Sequence, residues 1–182
     1  TIRLDQPQVM GIVNATPDSF SDGGQFADAA AAAAAGADMA ANGAAIVDVG
    51  GESTRPRAKP VWEGDEIERV GPVIRQLAAG GAAVSVDTRK ADVITAALEA
   101  GARMINDVSA LTYDDRSAGV VAAAGVPVVL MHHKGAPETM QDDPRYDDVL
   151  VEVYCWLEER IGAAVEAGIA RELILVDPGF GL

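Results

Sequence analysis

Positive charge is scarce in this chain. Its 182 residues carry 14 Lys and Arg against 28 Asp and Glu, a formal net charge of −14. Nucleic acids and anionic membrane surfaces are held through clustered cations, so this balance argues against both as partners. Cysteine is nearly absent too. A single Cys155 rules out an internal disulfide, as expected of a reducing compartment; it lies in a helical pattern beside Trp156, where packing is its expected role. No apolar run reaches the roughly 18 residues of a membrane span, and no signal-peptide pattern is visible. A soluble, cytoplasmic protein is the expectation. Histidine is limited to His132 and His133, which as strand neighbours would face opposite sides and so oppose a shared metal site. HExxH, Cys/His clusters, GxGxxG and the Walker lysine pattern are all missing, which argues against a structural zinc and against the common nucleotide-binding loops.

The chain does contain a repetition. Six short apolar runs each end in a polar side chain or lead straight to one: residues 9–13 at Asn14, 45–47 at Asp48, 82–86 at Asp87, 103–105 at Asn106, 126–131 at His132 and 173–176 at Asp177. Ala-rich stretches of helical character lie between most of them. Continuous Val/Ile/Leu runs are the mark of buried parallel strands, which helices cover on the outer face. Strand–helix alternation with short connections defines an α/β fold with a parallel sheet. Polar residues at successive strand ends would share one mouth, where the active sites of β/α barrels are built. A closed eight-stranded barrel takes about 250 residues. The expectation is therefore a TIM-type (β/α)8 barrel represented by about its first six strands, with residues 1–182 as one C-terminally incomplete domain.

The helices are predicted at 27–37 (with Gly36 and Gly43 blurring its limits), 65–79, 91–100, 117–124 and 147–167. Asp65 with Glu68 resembles a capping box for the second. Thr88 is the expected cap of the third, and Gly101 its stop. The segments 15–26, 50–64 and 134–146 are too long for simple connections and follow strands, so they read as binding loops at the mouth. Arg55, Arg57, Lys59, Arg89, Lys90 and Lys134 also follow strand ends. A basic mouth on an acidic body suits a small anionic substrate, and solvated loop charge is the equally weighted alternative.

Several constellations carry chemistry. Asn14 offers an amide oxygen to Mg²⁺ or an N–H to a phosphate, while Asp, Ser and Gly from 18 to 24 equally suit ordinary turns. In 48–56, Gly50 and Gly51 permit close approach to a ligand, and Arg55 supplies a planar fork for carboxylate or phosphate. Asp48 either meets a ligand or holds this loop through backbone N–H groups. Asp87, Asn106 and Asp177 together present two carboxylates and an amide, a set that suits the N–H donors and carbonyl of a 2-amino-4-oxo pyrimidine edge.

MGIVNATPDSFSDGG, DVGGESTRP, SVDTR, INDVS, LMHHKG and DPGFG, in this order across residues 10–181, closely resemble the dihydropteroate synthase family. The resemblance implies a barrel enzyme of folate synthesis, a transferase joining p-aminobenzoate to 6-hydroxymethyl-7,8-dihydropterin pyrophosphate with release of pyrophosphate. It implies that Asp87, Asn106 and Asp177 bind the pterin and that Met131 lines its pocket. It further implies that Asn14 contacts the pyrophosphate and its Mg²⁺, and that Thr54, Arg55 and Pro56 close over p-aminobenzoate and pyrophosphate. Phe180 would belong to an aromatic-containing loop after the sixth strand. Asp87, Arg55 and Asp177 are the residues expected to act in catalysis, by stabilising a cation-like methylene and the departing anion. Ala15, Arg57 and His133 depart from the family's common Val, Gly and Met. The family's Ser-Arg-Lys and Arg-x-His motifs, and most of its homodimer contacts, fall after residue 182. The span alone is therefore expected to bind pterin weakly and not to condense the substrates. A truncated, non-catalytic pterin-binding fragment is one alternative reading. A methyltetrahydrofolate-dependent methyltransferase domain is the other, although it has no use for the Ser-Thr-Arg-Pro segment.

Overall fold

Each apolar run becomes a strand. The structure, a computed structural model, describes residues 2, 5–16, 25–53, 60–134 and 145–180, with side chains from residue 29 onward in the first helix. Strand and helix alternate throughout: β1 Met10–Asn14, α1 Gln25–Ala41, β2 Ile46–Gly50, α2 Glu63–Ala79, β3 Val84–Asp87, α3 Ala91–Ala100, β4 Met104–Asp107, α4 Ser117–Ala124, β5 Val128–Met131, α5 Val149–Glu166 and β6 Ile174–Asp177.

All neighbouring strands are parallel, and their spatial order is β1-β2-β3-β4-β5-β6. Crossovers between parallel strands are right-handed. When strand order never reverses, every crossover helix lands on the same face. That winding curls a sheet toward a (β/α)8 barrel, whereas a reversal would give a doubly wound sheet. Among the described residues β1 and β6 are edges, so the sheet is an open barrel sector.

Register sorts the side chains. Val47, Val49, Val84, Val86, Ile105, Val128 and Leu130 face the helices and are at most 1% exposed. They pack with Val70, Val73, Ile74 and Leu77 of α2, and with Val93, Ile94 and Ala97 of α3. The alternate residues line the opposite, concave face, which among the described residues carries no helix. Gly36 does not end the first helix. It lets α1 approach closely, since a Cβ there would stand 3.0–3.1 Å from Leu77 and Val47 methyl groups.

The third and fourth helices match their predicted limits, and α5 lies within two residues of its own. The caps differ. α2 begins at Glu63 after Trp62, with no side-chain cap, in place of the expected Asp65 box. Acidic Glu63, Asp65 and Glu66 in its first turn complement the helix dipole instead. Thr88 does not cap α3, whose N-cap is Lys90. The Ala91 N–H donates to Asp114 Oδ2 at 3.0 Å, so another loop supplies the cap. Cys155 is exposed rather than packed.

Candidate functional site

Parallel register brings the polar strand ends into rows on the concave face. Asn14 pairs with Gly50, Gly50 with Asp87, and Asp87 with Asn106. One step deeper, Asp48 pairs with Ser85. One step nearer the mouth, Met131 pairs with Asp177. The structure therefore brings Asn14, Asp87, Asn106, Met131 and Asp177 onto one face.

Asp48 turns out to be neither a loop anchor through backbone N–H groups nor an open ligand. The Ser85 hydroxyl donates to its Oδ1, and Asn106 Nδ2 donates to its Oδ2 at 3.0 Å. Because a carboxylate accepts, this contact occupies the amide nitrogen of Asn106 and leaves its carbonyl oxygen as an acceptor. Burial pushes the Asp48 carboxyl up, and the Ser85 and Asn106 hydrogen bonds draw it part of the way back.

Asp87 has no such relief. Its Oδ1 is buried and has no hydrogen-bond partner among the described residues. Burial first, then the charges of Asp48, Asp107, Glu66 and Glu52, raise its carboxyl well above the ordinary range. A buried acceptor without a donor is costly, and such groups cluster where a ligand supplies what the fold withholds. Gly50 stands beside it; a Cβ there would lie 3.5 Å from Asp87 Cβ and Oδ2.

Asp177 is half-buried, and its Oδ1 accepts from Gly179 N at 2.8 Å. Gly179 adopts φ +75, and a Cβ would stand 2.4 Å from the His132 carbonyl oxygen, so only glycine lets the chain turn here. Met131 is buried, Asn14 is exposed, and Phe180 is 92% exposed, projecting away from any packing. Thr54, Arg55 and Pro56 lie outside the described residues, as do Arg57 and Lys59. His132 and His133 fall just beyond β5, and both rings meet Trp156 edge-on at 5.2 and 5.4 Å rather than facing opposite sides.

The basic mouth needs correcting at Arg89 and Lys90. Both are buried and neutralised. Arg89 Nε and Nη2 each approach Glu52 Oε1 at 2.9 Å, and the guanidinium lies 4.1 Å over the Tyr113 ring. Lys90 Nζ donates to Glu52 Oε2 at 2.7 Å, Glu66 Oε2 at 2.5 Å and the Val61 carbonyl at 2.8 Å. Thr88 donates to Glu66 Oε1 at 2.6 Å. Burial raises the Glu52 carboxyl, but Lys90, the Val61 N–H and Arg89 outweigh it and leave the group below its ordinary value. Burial lowers Lys90, and its bonds to Glu52 and Glu66 outweigh that, leaving it raised. Lys134 is partly exposed and pairs with Glu152 at 3.1 Å. Gly51, expected at a ligand, packs on α2 instead: a Cβ would stand 2.8 Å from Val70 and 3.0 Å from Glu66.

Residue-by-residue reading missed this cluster, although a signal existed. Glu66 occupies the core-facing stripe of α2 with Val70, Val73, Ile74 and Leu77. An acid in an apolar register requires a buried cation. Asp107 was passed over as well. It faces the helices at 0% exposure and accepts from Ser109 N at 2.7 Å, Ser109 Oγ at 2.7 Å and Leu111 N at 3.0 Å. These bonds hold Ala110 and Leu111 at φ 50 and 63, an uncommon pair for residues with a side chain. An open cavity of about 610 Å³, lined by Val61, Trp62, Lys90, Tyr113 and Arg116 among others, lies beside the trough at the mouth.

A parallel barrel sector with buried acids and an amide at its strand ends defines a β/α-barrel binding site rich in hydrogen-bond acceptors. The model of the pterin binding enzyme family matches residues 10–182, and the chain belongs to that family. It is 46% identical over 182 residues to the dihydropteroate synthase of Escherichia coli (strain K12), covering 100% of this chain and 64% of that protein. The Xanthomonas albilineans dihydropteroate synthase with 4-aminobenzoic acid superposes with a TM-score of 0.90 at 52% identity, over 98% of this chain and 63% of that one. The same organism's enzyme in complex with 7,8-dihydropteroate gives 0.86 at 48% identity, over 99% and 63%. The chain thus spans a little under two thirds of these relatives. Among the described residues no helix is long and apolar enough to cross a membrane.

Proposed function

We propose that this chain carries the pterin-binding part of a dihydropteroate synthase, a transferase that joins p-aminobenzoate to 6-hydroxymethyl-7,8-dihydropterin pyrophosphate and releases pyrophosphate. The observation that carries the reading is the buried Oδ1 of Asp87, unpartnered among the described residues, next in register to an Asn106 whose amide nitrogen is taken by Asp48. With Asp177 a step nearer the mouth, the trough presents acceptors to a flat ring edge that presents donors. Met131 supplies an apolar wall. The relatives' names, and the 4-aminobenzoic acid and 7,8-dihydropteroate of the solved complexes, support the same substrates here.

The residues have separable tasks. Asp87, Asn106 and Asp177 orient the pterin and stabilise positive charge at its methylene as the leaving group departs, an effect that is larger where water is excluded. Arg55 holds the departing anion and p-aminobenzoate through its planar fork. Asn14, at the end of β1, is the one protein donor assigned to Mg²⁺. Among the described residues no group of three or more His, Cys, Asp or Glu is placed to hold a metal. That donor set fits an ion carried mainly by substrate phosphates, the usual manner for Mg²⁺. The ion's chemistry would be neutralisation of the leaving pyrophosphate. The parent protein is proposed to work as a homodimer in the cytoplasm.

Calorimetry with the pterin pyrophosphate tests the assignment. Asp177→Ala and Asp87→Ala should each weaken binding by roughly 1.5–3 kcal/mol, the scale of a hydrogen bond to a charged group. Unchanged affinity in both variants removes the pterin site.

A further inference from the structure

Asp48 lies on β2 and Asn106 on β4, with Ser85 of β3 between them in the sheet. Asp48 and Ser85 are 3% and 0% exposed, whereas Asn106 is half-buried. Ser85 donates to one Asp48 oxygen, and Asn106 Nδ2 donates to the other at 3.0 Å. Among the described residues the Asn106 side chain makes no other hydrogen bond, so Asp48 decides which end of the amide is taken. An ionised carboxylate only accepts, and hydrogen bonds to both of its oxygens favour that ionised form. Turned over, the amide would press its carbonyl oxygen against a carboxylate oxygen with no proton between them. We propose that Asp48 is a positioning residue that fixes the Asn106 amide in one orientation, and thereby makes the site select a 2-amino ring over its 2-oxo counterpart. The proposal rests on the synthase reading above.

The selectivity follows from counting hydrogens. An amide nitrogen carries two. One goes to Asp48, which leaves a single N–H beside the carbonyl oxygen for a ligand. A 2-amino-4-oxo pyrimidine ring presents N3–H and the 2-amino group as adjacent donors. A carboxylate, with two accepting oxygens, takes that edge, and Asp87 and Asp177 supply carboxylates on the same face. N3 has one hydrogen and spends it there, whereas the amino group has a second. That second hydrogen lies next to N1, which accepts. A donor beside an acceptor is the complement of the fixed amide, with carbonyl to amino group and N–H to N1. A 2-oxo ring carries the reverse, an acceptor at C2 and a hydrogen on N1. It would set acceptor against acceptor and donor against donor. A site built to hydrogen-bond one pattern rejects another because its own polar groups are then left unpaired. Both Asp48 oxygens are engaged within the protein, so Asp48 acts through Asn106 without touching substrate.

The test is calorimetry on the natural full-length protein with two ligands: the 7,8-dihydropterin pyrophosphate, and the same ester with oxygen in place of the 2-amino group. The parent should prefer the amino ester by about 100-fold or more. Asp48→Asn keeps the shape of the side chain but offers Asn106 either an oxygen or an N–H, so the Asn106 amide can face either way. The preference should then shrink about tenfold or more, with the oxo ester bound at least as well as by the parent. A merely structural defect would weaken both esters alike and leave their ratio untouched. Ser85→Ala supplies that comparison, since it removes a buried hydrogen bond yet leaves the carboxylate facing Asn106. Its preference should hold within about threefold of the parent's. Asp48→Asn losing no more preference than Ser85→Ala overturns the positioning role and leaves the synthase reading intact. If Asp48→Asn does not accumulate, the parent still decides, because equal affinity for the two esters overturns the proposal. A parent that binds neither ester removes the synthase reading and the proposal with it.

Discussion

Replacing Asp87 by Asn keeps the shape of the side chain and removes its charge. In the parent, Oδ1 is buried with no donor among the described residues, and burial together with Asp48, Asp107, Glu66 and Glu52 raises the carboxyl well above its ordinary value of 3.8. The sign follows from proton linkage. A carboxyl that titrates higher in the fold than in the unfolded chain contributes stability that is fully present below 3.8 and is lost as pH rises through its folded value. Above that value the native state carries a penalty that Asn relieves. An unpaired buried polar group costs about 1–3 kcal/mol, more when charged; the amide leaves one atom unpaired but removes the charge, so the gain is put at about 1–2 kcal/mol. In a chain of this size that is about 3–6 °C in Tm. Thermal unfolding followed by circular dichroism, from acid pH to pH 8.5, should show Asp87→Asn more stable than the parent at pH 8.5. The gap should narrow steadily toward acid. The same variant should bind the pterin pyrophosphate less well, so stability and binding move in opposite directions, as strained functional positions do. A variant less stable than the parent at pH 8.5, or an offset independent of pH, refutes the reasoning.

Asp107→Ala removes three acceptor contacts from a turn that holds Ala110 and Leu111 at positive φ; urea unfolding should show a loss of about 2–4 kcal/mol, with an Ala110→Gly second change, which relaxes a positive-φ position at the loss of only a methyl group, recovering part of it. Gly179→Ala forces the chain off the His132 carbonyl and disturbs the turn that Asp177 accepts from. Pterin affinity measured by calorimetry should fall about tenfold or more while Tm moves by only a few degrees, since the turn lies at the end of an edge strand.

Much of the site was legible because strand ends carry their own signal. Buried parallel strands need continuous apolar residues, so the first polar residue after each run marks where the sheet opens to the mouth. Asn14, Asp87, Asn106 and Asp177 were located this way, and the register confirms that they share a face. What local pattern misjudged was polar groups with distant partners. Thr88 fits a helix cap by position, yet its hydroxyl is drawn to Glu66. Asp65 and Glu68 satisfy a capping pattern, yet the chain ahead of them is pinned at Val61, so α2 starts earlier. Cys155 sits in a helical pattern, but on the face of α5 that stays exposed.

Composition and apolar spacing by themselves determined the strand and helix alternation, because backbone hydrogen bonds within helices and apolar burial beneath them are local demands that each segment must meet. They also determined which side chains stand at the mouth. Charge pairing was decided only by the tertiary structure. Arg89 and Lys90 look like free loop cations in the chain, yet Glu52 and Glu66 lie 37 and 24 residues away along it and meet them in a buried cluster. Among the described residues the same assembly leaves Asp87 Oδ1 without a donor while giving Asp48 two. A carboxylate's protonation and partners depend on what the folded neighbours bring within hydrogen-bond reach and on how much water they exclude, and neither quantity is a property of sequence position.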